Sequence, residues 1–390
     1  MVYLLQRKLL GGFIMKQNKA VQEDIKSVNK KLVFRTIVSE APISRAEIKR
    51  KTKLAATTVS TLVDEYIAEG FLNETGLTQT NAVGRKAMML TVNNDGGFFL
   101  VLDVHKDRIQ GFVYGLNLTQ CASESVHYSS EKELYPLIVK IIEDTIKLYP
   151  KLLSTVIALP ALLHNEQRSG ASSVLGFTVD TDALQSIKAQ FEGIAIEFCN
   201  TSGLAAYAQK TRYPTIRNLI SVDVFDGVGS GIIIDGDIYQ GKNGLAGEFG
   251  HICMDIHGER CLCGGRGCLE QYISIPVILD RISKRVDKKV TMSEAVALFK
   301  NNDDAAVEVL KSVARRFSLA LNTIINLFDP ELVIISGQIC DFGENFYNMV
   351  AERLNNLSLI GTDRPVRFMN NDENLVSIGG ANYLFNQHFN

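Results

Sequence analysis

Three of the chain's seven cysteines fall within eight residues, inside the run GEFGHICMDIHGERCLCGGRGCLEQY from Gly247 to Tyr272. Cys261, Cys263 and Cys268 supply three soft thiolates. Gly264, Gly265 and Gly267 free the backbone to fold until those sulfurs converge. One imidazole would complete a Cys3His set, the closed tetrahedral shell of structural zinc. His251 and His257 both lie within loop reach, and spacing does not choose between them. Two carboxylates, Glu248 and Glu270, bracket the same run.

A second chemical signal is charge. Residues 1–90 carry 15 Lys and Arg against 8 Asp and Glu, whereas the remaining 300 carry 26 against 35. The basic N-terminal piece is therefore a candidate for contacting a polyanion. Its apolar periodicity predicts a helix from Asp24 to Ser39. A short second helix starts at Ser44, where Ser44 and Glu47 form a capping box flanked by Ile43 and Ile48 as a hydrophobic staple. In a third helix Val59, Leu62, Val63, Tyr66 and Ile67 form an inward stripe ending near Gly70. The opposite face carries Ala56, Thr57, Thr58, Ser60 and Thr61, small and hydroxyl-bearing side chains that let a helix sit deep in a major groove. Two short β-like runs follow, Phe71 to Glu74 and Ala87 to Val92. They predict a wing whose tip, Gly84, Arg85 and Lys86, lies along a phosphate backbone or in a minor groove. With Arg45, these residues are the expected contacts to double-stranded DNA.

The elements that must position the cysteine loop follow Asn94. Strands are expected at Phe98 to Asp103, Ile109 to Tyr114, Thr155 to Leu159, Ile194 to Phe198, Leu219 to Val224, Gly231 to Ile234, Asp237 to Tyr239 and Leu332 to Ser336. Helices are expected near Tyr135 to Leu148 and across Ile275 to Phe328. This is an α/β chain with a mixed sheet, and it reads as two halves, each opening on a strand, a turn and a returning strand: FFLVLDVHKDRIQGFVY and NLISVDVFDGVGSGIIIDGDIY. No apolar run approaches the ~18 residues of a membrane span, so no membrane insertion is expected. Arg7 and Lys8 interrupt the apolar start and no cleavage site follows, Met15 is an alternative start, and the cysteine usage fits the cytoplasm.

The run Glu248-x-Gly250-His251, followed by Cys261-x-Cys263-Gly264-x-x-Gly267-Cys268-x-Glu270, resembles the signature of the ROK family, which groups bacterial sugar-responsive repressors with sugar kinases. The resemblance covers essentially the whole chain. It implies a winged helix-turn-helix DNA-binding domain at 1–92. It further implies a two-lobed actin-like (ribonuclease H-like) sugar-binding module at 93–390, with lobes at about 93–205 plus the C-terminal tail and at 206–370. By the same resemblance His251 is the fourth zinc ligand, and Asn200, Glu248, His251 and Glu270 contact a monosaccharide or sugar-phosphate effector. Physically this is sensible, because carboxylates accept from hydroxyls and a zinc-bound imidazole keeps one N–H to donate.

Measured against the family's kinases, the chain departs at three places. Thr201 follows Asn200 where the kinases place a catalytic Asp, and threonine cannot accept a proton near neutral pH; losing such a base costs ~10²–10⁴ in rate. Asp103-Val104-His105-Lys106-Asp107 replaces an Asp-x-Gly-Gly-Thr phosphate loop, putting side chains where bare backbone should approach a nucleotide. Asp226 stands in the second loop where Thr is usual. Lys53 and Ala55 also replace the helix-turn-helix Gly and capping Ser. The expectation is a non-enzymatic, sugar-responsive repressor acting as a homodimer or higher oligomer on a DNA operator. The alternatives are an ATP-dependent sugar kinase and a regulator gated by a transporter subunit.

Overall fold

A computed structural model describes residues 25–77, 88–161, 169–170, 172, 174–357, 365–369 and 374–389. The predicted wing tip, Gly84 to Lys86, lies outside them.

At the N-terminal end, α1 (residues 25–40), β1 (Ile43–Ser44), α2 (Arg45–Thr52), α3 (Ala56–Ala68), β2 (Leu72–Leu77) and β3 (Met88–Val92) build a small head. Ser44 caps α2 as expected. Its hydroxyl accepts the Glu47 amide at 3.3 Å, while the Glu47 carboxylate accepts the Ser44 amide at 3.0 Å. The flanking Ile43 and Ile48 are buried. Lys53 ends α2 in the left-handed region at φ 59°, and Ala55 opens α3 with no side-chain cap, so both sequence departures are real local costs. The strands pair antiparallel in the order β1-β3-β2.

The rest is two sheets of matching topology. The first contains β4 (Phe98–Val104), β5 (Arg108–Gly115), β6 (Gln120–His127), β7 (Leu152–Leu159) and β10 (Ala195–Asn200), ordered β10-β7-β4-β5-β6. Between these come α4 (Glu131–Leu148), the small pair β8 (Ser169–Gly170) and β9 (Val179–Asp180), and α5 (Thr181–Gln190). After α6 (Thr201–Arg212) the second sheet contains β11 (Leu219–Val224), β12 (Val228–Ile234), β13 (Asp237–Ile238), β14 (Leu332–Ser336) and β15 (Val366–Phe368), ordered β13-β12-β11-β14-β15. In each sheet an antiparallel three-strand meander continues into parallel strands, which is the expected pair of halves. The edge strand β6 was not anticipated. Its sequence QCASESVH is mostly exposed and lacks the apolar alternation that marks a half-buried strand.

Helices α7 (Glu270–Ile273), α8 (Ile275–Val286), α9 (Met292–Lys300), α10 (Asp304–Phe328) and α11 (Glu344–Asn356) share one core with the second sheet. Strand β4 is buried at every position, as a central strand covered on both faces must be. Its even residues, such as Leu100 and Leu102, pack with α4 and α5. Phe99 and Val101 face the other way, toward α12 (Leu375–His388), α6 and the head. The head's core is thereby continuous with that of the larger module: Val33, Phe34, Tyr66 and Leu90 belong to the same apolar cluster as Phe99, Leu384, Phe385 and Phe389.

Candidate metal centre and ligand cleft

The loop between β13 and α8 resolves the choice of histidine. The donor atoms of His251, Cys261, Cys263 and Cys268 all lie within 4.8 Å of one another, and His257 is not among them. Cys261 Sγ is 3.6 Å from His251 Nδ1, and the Cys263 and Cys268 sulfurs are 3.5 Å apart. Metal bonds of ~2.0–2.3 Å at tetrahedral angles put donor atoms roughly 3.5–3.8 Å apart. The set therefore fits a tetrahedral dication. Two antiparallel bridges, Cys253 to Cys268 and Arg260 to Arg266, pinch the loop, and Gly264 and Gly267 turn it at φ 90° and 60°. Burial pushes the Cys268 thiol up to about 12, with its hydrogen bonds to Cys263 and Cys261 adding to the rise. Three thiolates packed this closely repel one another, and a bound dication would offset that repulsion.

His251 joins this centre to a cleft. While Nδ1 faces Cys261, Nε2 lies 3.7 Å from Glu248 Oε2, on the cleft side. The cleft has a volume of about 1650 Å³ and is lined by all four residues expected to meet a sugar, Asn200, Glu248, His251 and Glu270. Asn200 ends β10 and caps α6, its Oδ1 accepting the Ser202 amide at 2.9 Å and its Nδ2 donating to the Ala161 carbonyl at 3.2 Å. Glu270 Oε2 accepts the Val228 amide at 3.0 Å, tying α7 to the β11–β12 turn. Burial raises the Glu248 carboxyl above its ordinary range; His251 opposes the rise and Glu270 adds to it.

The kinase landmarks line the same cleft. Thr201 is the first residue of α6. In the β4–β5 turn, His105 Nε2 is 3.3 Å from Asp103 Oδ2, and that neighbouring carboxylate raises the imidazole above its ordinary value. The glycines of β12 serve packing, since a Cβ at Gly231 would meet the Ser202 carbonyl at 2.2 Å. Sequence reasoning missed Asp223. It accepts a hydrogen bond from the Ser336 hydroxyl, and burial pushes it up to about 6. A lone carboxylate within the apolar strand LISVDV was its signal.

In the head, Ala56, Thr57 and Thr61 are exposed, while Thr58 and Ser60 are half-buried. Arg45 is engaged elsewhere, bonded to Asp64 at 2.8 Å and to Glu74 at 2.5 Å. Lys49, Arg50 and Lys53 are exposed beside the α2–α3 turn.

Head and cleft are joined through α12. Phe34 stacks on Phe389 at 4.2 Å and on Phe385 at 5.8 Å between ring centroids, and Phe71 meets Phe389 edge-on at 5.6 Å. Arg35 of α1 donates to Asn386 Oδ1 at 2.7 Å. Asn386 Nδ2 in turn donates to the Tyr207 hydroxyl at 2.5 Å, on the helix that Asn200 caps.

Known proteins share this organisation. The xylose repressor of Bacillus subtilis (strain 168) is 29% identical over 330 residues, covering 83% of this chain and 85% of that protein. The N-acetylglucosamine repressor of Escherichia coli O157:H7 is 25% identical over 336 residues, covering 81% and 82%. A crystal structure described as a ROK family transcriptional regulator, homolog of the E. coli MLC protein, matches with a TM-score of 0.80 at 25% identity, covering 94% of this chain and 96% of that one. A ROK hexokinase from Thermus thermophilus shares the fold, with a TM-score of 0.66 at 19% identity over 75% of this chain and 99% of its own. The ROK family model matches residues 100–388, from the first central strand to the last turn of α12, and the chain belongs to that family.

Proposed function

We propose that this chain is a sugar-responsive transcriptional repressor, a regulator and not an enzyme. One observation carries the reading: the cleft keeps Asn200, Glu248, His251 and Glu270 together while Thr201 occupies the place of a phosphoryl-transfer base. Such a site binds a sugar and leaves it unchanged. The names of the relatives, repressors linked to xylose and N-acetylglucosamine, support the same class.

In this reading residues 1–92 form a winged helix-turn-helix and 93–390 a two-lobed sugar-binding module. Helix α3 offers Ala56, Thr57, Thr58, Ser60 and Thr61 to a major groove, Lys49, Arg50 and Lys53 meet phosphates, and Gly84, Arg85 and Lys86, outside the described residues, are proposed as further DNA contacts. Arg45 joins them only if Asp64 and Glu74 release it. A homodimer would set two such helices on half-sites about one helical turn, or a multiple of it, apart. His251, Cys261, Cys263 and Cys268 would hold zinc, which supplies a rigid frame for the loop and fixes which imidazole nitrogen faces the cleft. His251 Nε2 then donates to a sugar hydroxyl, and Glu248 and Glu270 accept from others.

Sugar between the lobes favours one closure over another by its difference in affinity for the two. Asn200 feels that closure directly, and α6 and α12 carry it to the head. The test is selection of DNA from a random library by the zinc-loaded protein, followed by fluorescence anisotropy on the selected duplex with and without monosaccharides. A defined sequence whose affinity changes with one sugar is expected; failure to select any sequence would overturn the repressor reading.

A further inference from the structure

We infer that the cleft takes an uncharged monosaccharide and turns away its phosphate ester, a refinement that rests on the sugar-binding reading above. Three observations converge on it. The first is the charge of the lining. Asp103, Asp223 and Asp226 stand on the side where a kinase would hold phosphates, and Glu248 and Glu270 stand on the sugar side. A phosphate dianion entering this space meets carboxylates on both sides of the cleft, and in a partly desolvated site that repulsion counts.

The second is what the cations are doing. Among the described lining residues the basic side chains are Arg108 and Lys188, beside the two histidines. Arg108 lies 3.2 Å from Asp107, and Lys188 lies 3.6 Å from Glu197. His105 is held by Asp103, and His251 by the cysteine cluster and Glu248. Each positive group is already set against a carboxylate or a metal site of this chain.

The third concerns backbone donors. A phosphate bound without side-chain cations relies on amides at a helix N-terminus or in a glycine-rich turn. Here the Ser202 amide of α6 is given to Asn200 Oδ1 and the Val228 amide of the β11–β12 turn to Glu270 Oε2. At these two places the chain's own side chains take an amide that an anion would otherwise use. A neutral sugar suits the same groups, because each hydroxyl can donate to a carboxylate oxygen and accept from an N–H. Esterifying a hydroxyl replaces that donor with acceptor-only oxygens facing acceptor-only carboxylates.

The experiment is isothermal titration calorimetry on zinc-loaded full-length protein with three pairs: D-glucose and glucose 6-phosphate, N-acetyl-D-glucosamine and its 6-phosphate, and D-xylose and xylose 5-phosphate. At least one parent sugar should bind, with its phosphate at least thirtyfold weaker. Raising the salt concentration should narrow that gap, since screening weakens the repulsion. Asp226→Asn, a change at an exposed turn residue, should narrow it about threefold while leaving the parent's Kd within twofold. A phosphate that binds as tightly as its parent, or more tightly, overturns this inference and leaves the sugar-binding reading standing. Silence from all six overturns both.

Discussion

At the scale of single residues, the proposed loss of phosphoryl transfer starts at Thr201. Thr201 opens α6 beside Asn200 with no group able to take a proton, yet the base is not all that is missing. Side chains occupy the β4–β5 turn and Asp226 stands in the second loop, so two places where bare backbone would meet a nucleotide carry side chains instead. Thr201→Asp should therefore leave ATP-dependent sugar phosphorylation at the background of a coupled assay, because a general base adds rate only to a complex that forms. Turnover in that variant would show that the loops still admit ATP. The cysteine cluster makes the opposite kind of prediction. Cys261→Ser removes one of four donors within 4.8 Å of one another, so bound zinc should fall from one per chain toward zero by elemental analysis, and the melting temperature should drop by several degrees. Retention of one tightly held zinc would point to a different ligand set.

At the scale of elements, α12 is the piece on which head and module both rest. His388 at its end lies among Phe71, Phe99 and Phe389, with ring centroids 6.3, 6.3 and 4.8 Å away. The ring is exposed at one side, and the partial desolvation those neighbours impose holds the imidazole below its ordinary value, Glu69 pulling the other way. The folded state thus binds fewer protons than the unfolded one. Stability present above the unfolded value near 6.5 is lost as pH falls through it and on through the folded value. Melting temperatures measured from pH 7.5 to 5.5 should fall, and His388→Gln should flatten part of that slope. An unchanged slope in the variant would assign the acid sensitivity to other groups. The cap of α3 belongs to this scale too. Ala55 leaves the helix's first amides without the side-chain acceptor that serine would supply, worth roughly 1 kcal/mol, and the continuous apolar cluster beneath the head is what tolerates the loss.

At the scale of the whole molecule, regulation needs a physical route from cleft to head. The contacts Arg35–Asn386 and Asn386–Tyr207 cross three elements between them and are the candidate for it. Asn386→Ala removes both hydrogen bonds while keeping the aromatic packing of Phe34, Phe385 and Phe389. Sugar affinity and DNA affinity, each measured alone, should stay within about threefold, whereas the change in DNA affinity on adding sugar should shrink at least fivefold. A typical coupling is ~1–3 kcal/mol, so such a loss is measurable. A variant that keeps full sugar response would move the route elsewhere.

Much of this was legible in the sequence because it depends on local spacing. The capping box of Ser44 and Glu47, the apolar stripe of α3, the repeated strand-turn-strand openings and the Cys-x-Cys…Cys run each declare themselves over a few residues. The loss of the kinase base was equally plain, since Asn200-Thr201 is read directly. Tertiary structure decided what spacing leaves open. Only the folded loop brings His251 and not His257 to the sulfurs, and only the head's packing turns Arg45 toward Asp64 and Glu74. Strand β6 was hidden because an exposed edge strand needs no apolar pattern, and Asp223 because its hydrogen-bond partner Ser336 lies 113 residues away. The apolar union of head and module was hidden for the same reason: it brings Phe34 to Phe385 and Phe389 across almost the whole chain, a contact set by how elements pack and by nothing in the local run of residues.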